Sequence, residues 1–185
     1  GIGNSPRLGV EGLPESTDYF RRHSSQVSDN AGHAWVGASG LRGEAEIVIT
    51  PSLRLPFITK PQKKKPGEAV KDETLKEEPL LRVEYSTRPH TLKLYFSDPD
   101  ALRPGERVFS VSLQGKTVLQ DFDIAKATGN AKGLAVQEFH NVAIGANLRI
   151  QLKSAKGSAK PPVINGIEFI AESHQASTSD SVSGK

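Results

Sequence analysis

Apolar and polar residues alternate with period two along much of the chain. Leu92, Leu94 and Phe96 are separated by Lys93 and Tyr95, Phe109, Val111 and Leu113 by Ser110 and Ser112, and Leu148, Ile150 and Leu152 by Arg149 and Gln151. Alternation sends successive side chains to opposite faces, so each run predicts a strand with one buried side. Gln114-Gly115-Lys116 is a tight turn leading into Thr117-Val118-Leu119, which predicts an antiparallel hairpin. Val163-Ile164 and Ile167-Glu168-Phe169 close the pattern after Pro161-Pro162. Earlier, residues 34–39 and 45–49 read as two strands about a turn at Gly40-Leu41-Arg42-Gly43. At least seven strands result, and Ile124–Thr128 is the segment suited to a helical turn. The predicted class is all-β, an antiparallel β-sandwich of jelly-roll type.

Between these runs the composition changes. Residues 1–30 are rich in Gly, Ser, Pro and charge, with Tyr19-Phe20 as apolar anchor, and read as an irregular arm. The sandwich is expected over residues 31–171. Residues 60–79 hold Lys, Glu, Pro and Gly with almost nothing apolar, so they cannot offset the entropy of ordering and are expected to be a mobile charged insertion. Residues 172–185 read as a flexible tail or linker. The chain lacks methionine even at position 1, which suggests one module of a larger protein.

Charge narrows the partners. Lys and Arg number 24 against 21 for Asp and Glu, a net charge of +3, too even for a nucleic-acid surface. The run Lys63-Lys64-Lys65 is followed by Glu68, Asp72, Glu73, Glu77 and Glu78, which blunt its field. No apolar run is long enough to span a bilayer. With no cysteine, thiolate metal sites, disulfides and cysteine nucleophiles are excluded. The five histidines show no paired ligand spacing, no serine sits in a G-x-S-x-G turn, and no phosphate-binding glycine loop occurs, so no enzyme class is indicated.

Three segments are more specific. Thr91-Leu92-Lys93-Leu94-Tyr95-Phe96-Ser97-Asp98, the hairpin Arg107-Val108-Phe109-Ser110-Val111-Ser112-Leu113-Gln114-Gly115 with the following Asp121-Phe122-Asp123-Ile124, and Pro161-Pro162-Val163-Ile164-Asn165-Gly166-Ile167-Glu168 stand in this order. Together they resemble the malectin and malectin-like carbohydrate-binding family. That resemblance implies a non-catalytic jelly-roll sandwich, with a ligand site on loops that carry aromatics and an aspartate. The family's Tyr-Phe pair falls on Asp100 and Ala101 and its aspartate near Ala159, so those groups do not carry over.

Sugar recognition needs an aromatic face for ring C–H groups and carboxylate, amide or guanidinium partners for hydroxyls. Aromatic residues make up only 6% of the chain. Trp35, the single tryptophan, stands beside glycine and is the first choice for stacking, ahead of Tyr19, Phe20 and Phe57, each of which could instead be packing. Asp98, Asp100 and Arg103 follow the strand at residues 92–96, where the resemblance places ligand contacts; the alternative for them is a turn capped by its own carboxylates. No cofactor is expected, although Asp121 and Asp123 with Asn130 offer a conceivable structural Ca²⁺ site, with turn capping as the alternative. The function expected is a non-catalytic carbohydrate-binding module that attaches a larger secreted, periplasmic or cell-surface protein, of bacterial type, to a glucan or other polysaccharide. The alternative is a structural module that packs on neighbouring domains or a protein partner.

Overall fold

The computed structural model describes residues 7–11, 17–50 and 87–172. In chain order they form β1 (Arg7–Glu11), β2 (Asp18–Arg21), β3 (Ser39–Arg42), β4 (Ala45–Thr50), β5 (Arg88–Ser97), β6 (Val108–Leu113), β7 (Lys116–Asp123), the helical turn α1 (Ile124–Thr128), β8 (Leu134–Ile144), β9 (Leu148–Ser154), β10 (Val163–Ile164) and β11 (Gly166–Ala171). One layer is a five-stranded sheet in the order β1-β4-β9-β6-β7. The other consists of two three-stranded sheets, β10-β3-β2 and β11-β5-β8, and every strand pairing is antiparallel. The all-β sandwich expected from the alternating pattern is what forms.

The alternating residues fill the space between the layers. Leu92, Leu94 and Phe96 of β5 meet Phe109, Val111 and Leu113 of β6 and Leu148, Ile150 and Leu152 of β9 in one core, all of them buried. Phe96, Phe109 and Phe122 form a three-ring cluster across the layers, with centroids 5.1–5.7 Å apart in tilted and edge-to-face geometry. The hairpin joins β6 to β7 through Gln114 and Gly115, whose φ values of +51° and +79° are the two positive angles of a type I′ turn. Asp123 closes β7 and caps α1, its Oδ1 accepting from the Lys126 N–H at 3.2 Å.

Two expectations are corrected, and one strand is new. Residues 34–39 do not form a strand: 36–38 make a short 3₁₀ turn, and the following strand occupies the positions expected to turn. The cause is close packing. A Cβ on buried Gly37 would lie 2.8 Å from Val27 Cγ1, and one on Gly40 would lie 2.4 Å from the Ile164 carbonyl oxygen, so this small-residue stretch serves close approach to a loop and a neighbouring strand rather than alternation. The chain turns instead at Gly43 (φ +133°). Within residues 1–30, read as an irregular arm, β1 adds to β4 and β2 adds to β3. Finally, β8 escapes the alternation analysis because Gln137-Glu138 and His140-Asn141 interrupt its apolar period, yet it pairs with β5 over nearly its whole length. The charged insertion at 60–79, and the tail beyond Glu172, lie outside the described residues.

Phe109→Ala is expected to cost about 3–5 kcal/mol, because it removes the ring that touches both other phenylalanines and leaves a cavity between the layers. Urea unfolding measures this through the transition midpoint; a loss under about 1 kcal/mol would show that the site collapses freely.

Candidate functional site

The sequence-predicted residues separate into two groups at one end of the sandwich. Asp98, at the end of β5, is buried, and its carboxylate pairs with the equally buried guanidinium of Arg107 while accepting from the Asp100 N–H at 2.8 Å. Arg107 also donates to the Pro161 carbonyl at 2.8 Å and to Asp100 Oδ2 at 2.7 Å. Arg22 reaches in from beyond β2 to donate to the Asp98 carbonyl and the Ser97 hydroxyl, each at 2.7 Å. Arg42 spans Asp100 at 3.5 Å and Asp18 at 2.8 Å. Asp98 therefore does not face a ligand, which corrects its assignment: the strand end is buried, and the only tolerable carboxylate there is a paired one. Asp100 keeps part of its carboxylate at the surface. Arg103 is exposed, its backbone N–H donating to Glu106 Oε2 at 2.7 Å.

Asp123 is fully engaged, its second oxygen accepting from the Gly105 N–H at 2.6 Å, while Asp121 is exposed at φ +48° and Asn130 Oδ1 accepts from the Lys132 N–H at 2.9 Å. Asp123 and Asn130 thus serve as cap and turn residues, while Asp121 lies within β7, its backbone N–H donating to Ser110 Oγ at 3.3 Å. No group of three or more His, Asp or Glu side chains suited to a metal ion occurs among the described residues.

Trp35 belongs to a different surface. It precedes the 3₁₀ turn and is 71% exposed. Its loop is held from both sides. Asp29 accepts from the backbone N–H groups of Ala31 and His33, and Val36 Cγ1 rests where a Cβ on Gly166 would come within 2.5 Å. Beneath lies the outward side of β5: Tyr95 packs against the His33 ring at 5.9 Å and donates its hydroxyl to Glu168 Oε2 of β11 at 2.8 Å. Together His33, Trp35, Val36, Tyr95, Asn165 and Glu168 line a cleft of about 480 Å³. Burial, reinforced by the hydrogen bond to Glu168 and its negative charge, pushes the Tyr95 phenol up to about 12. An exposed indole thus stands beside a carboxylate and a phenol oxygen, the pairing of apolar surface and fixed polar groups that suits a polyhydroxyl ring.

Sequence reasoning selected Trp35 but missed His33, Tyr95 and Glu168. Tyr95 and Glu168 occupy the polar phase of their strands, and register puts Gly166 opposite Tyr95 and Glu168 opposite Lys93 on one face. Only strand pairing reveals that neighbourhood. Tyr19, 72% exposed, stands on β2 away from this cleft, Phe20 packs against the core, and Phe57 lies outside the described residues.

Asp98→Ala is expected to destabilise the fold by about 3–5 kcal/mol, since it strands a buried guanidinium, and Asp98→Ala combined with Arg107→Met should recover much of that loss. Denaturant unfolding of the double-mutant cycle checks this; additive losses would show that the two charges do not depend on each other. Tyr95 gives a pH signature. Its proton is held more tightly folded, at about 12, than in the unfolded chain near 10, so its stabilisation is complete below about pH 10 and lost as pH rises towards 12. Absorbance titration of tyrosinate should show one of the three tyrosines ionising last, and Tyr95→Phe should remove that component.

Residues 86–170 match the malectin domain family. No curated protein matches the chain in sequence. Among solved structures, the ANX2 ectodomain from Arabidopsis thaliana superposes with a TM-score of 0.59 at 10% identity, over 91% of this chain and 42% of that one. A chain in the complex of the plant peptide RALF23 with FER and LLG2 gives 0.53 at 16% identity, over 92% and 36%. The Bacteroides uniformis β-glucuronidase gives 0.56 at 12% identity, over 90% and 14%. At these identities the likeness is one of fold, and this chain spans less than half the length of each neighbour. No helix among the described residues is long and apolar enough to cross a membrane. Over residues 86–170 the chain thus matches the malectin domain, and its sandwich shares its fold with the ANX2 ectodomain.

Proposed function

We propose that this domain is a non-catalytic, extracellular carbohydrate-binding module whose ligand stacks on Trp35 and hydrogen-bonds in the cleft beside it. The observation that carries the reading is the indole, 71% exposed on a loop that is itself well anchored. An apolar ring kept in water on a fixed support loses little entropy when it receives a sugar face. In this reading Glu168 and the Tyr95 oxygen accept from ligand hydroxyls, while Asp100 and Arg103, on the loop at the same end of the sandwich, supply rim contacts. The malectin match over residues 86–170 supports carbohydrate as the ligand class. The chemistry of the cleft suits binding rather than turnover, since its carboxylate, Glu168, already accepts from Tyr95.

A protein-interaction or structural role is the second reading. Trp35, Val136 and Ile170, three of the four exposed large hydrophobics among the described residues, stand on the outward side of the β11-β5-β8 sheet, and a fold neighbour occurs in a complex with a peptide.

A glycan array followed by titration of Trp35 fluorescence separates the two. Specific glycan binding should shift the emission of this single tryptophan, and Trp35→Ala or Glu168→Ala should weaken affinity by about tenfold or more, equal to about 1.4 kcal/mol, with the fold intact. Silence across neutral and acidic glycans would transfer the case to the protein-interaction reading.

A further inference from the structure

The surface does not end at the Trp35 cleft. On the other side of the loop formed by residues 28–34 lies a second cleft, of about 640 Å³, whose walls include Asp29, Asn30, Thr128, Asn130, Val136 and Gln137. Each cleft by itself lies within the roughly 300–1,000 Å³ typical of small-ligand sites. They are neighbours by strand register. Tyr95, in the first, stands directly opposite Val136, in the second, on the β5-β8 ladder, and side chains so placed lie about 5 Å apart. The loop itself stands between them, its His33 ring packed on Tyr95 at 5.9 Å and 3.9 Å from Asp29, so a ligand that reaches both clefts crosses this ridge.

The second lining is chemically distinct from the first. Asp29 is its one carboxylate, and both oxygens already accept backbone N–H groups. Asn130 uses its Oδ1 on Lys132 and leaves Nδ2 available; Asn30 and Gln137 add further amides, and Val136 adds apolar surface that is 41% exposed. Amides offer donors and acceptors together without net charge, which suits neutral hydroxyl groups better than an anion or a cation. We infer that this cleft is a second sugar subsite, so that the ligand is a neutral oligosaccharide segment running from Trp35 past the Tyr95–Val136 row to Asn130 and Gln137.

This inference rests on the carbohydrate reading and asks for a different measurement. The full chain is titrated calorimetrically with gluco- and manno-oligosaccharide series of one to six residues, from cello-, laminari-, malto- and manno-linkages. In the series that binds, affinity should rise by about tenfold or more with added residues and then level off. Asn130→Ala and Asn30→Ala, both at exposed positions and each checked by its urea midpoint to be folded, should abolish the gain from chain length while leaving the affinity for the shortest binding sugar unchanged. Trp35→Ala should weaken short and long ligands alike. Affinity independent of length, or an unchanged length dependence in both asparagine variants, would overturn the second subsite and leave the first intact. Absence of binding to every series and to the array would overturn the carbohydrate reading and the subsite together.

Discussion

The side chain of Asn165 ties together backbone groups from three segments, those of Gly37, Ser39 and Ser97. It stands at the step where the closing strand leaves the β10-β3-β2 sheet and enters β11-β5-β8. Its Oδ1 accepts from the Ser97 N–H at 2.6 Å, and its Nδ2 donates to the carbonyls of Gly37 and Ser39 at 3.1 and 2.9 Å. Its own backbone N–H reaches Tyr95. The N–H of Ser97, which is fully buried, would cost about 1–3 kcal/mol if left unpaired. Asn165 thereby joins two short sheets into one layer and fixes the two ends of the Trp35 surface at once: Gly37 terminates the loop that carries the indole, and Tyr95 is the floor beneath it. Gly166 follows immediately and leaves room for Val36. Fold and candidate site share the same few atoms.

The core strands were legible because burial on one side imposes a period of two, and the hairpin because Gln114-Gly115 needs two positive φ angles. The short strand β3 was not, since its Gly40 answers to the Ile164 carbonyl of another strand, a constraint that no local pattern encodes. β1 and β2 borrow their order from the sheet edges they join, so their own composition says little. The site divides in the same way. Trp35 could be chosen from residue type alone. That Asp98 belongs to Arg107, and that Glu168 belongs to Tyr95, depends on pairings between segments distant in the chain, and a polar residue at a strand end looks the same whether it faces water or a buried guanidinium.

The malectin resemblance placed a Tyr-Phe pair at positions that here hold Asp100 and Ala101. The structure gives this replacement a physical role. Asp100 bridges Arg107 and Arg42, Ala101 takes φ +51°, and the loop is braced by an alternating series of carboxylates and guanidinium groups running from Asp18 to Asp98, whose backbone carbonyl accepts from Arg22. An end of the sandwich that would otherwise display stacking rings is closed by charge. Trp35 is instead exposed on the outward side of the β11-β5-β8 sheet, where the loop at residues 28–36 crosses it.

The direction of β11 has a mechanical side. Its first residue, Gly166, borders the Trp35 cleft, while at its far end Glu172 donates its backbone N–H to Pro89 at 2.9 Å, and the chain continues from there. Six residue pairs hold β11 to β5 between these points, a span of about 17–20 Å. A pull between a ligand at one end and residues 173–185 at the other therefore runs along the strand, and the ladder carries it in shear, with its hydrogen bonds loaded together rather than opened one at a time. An attachment made through this face would resist force best along the axis of β11 itself.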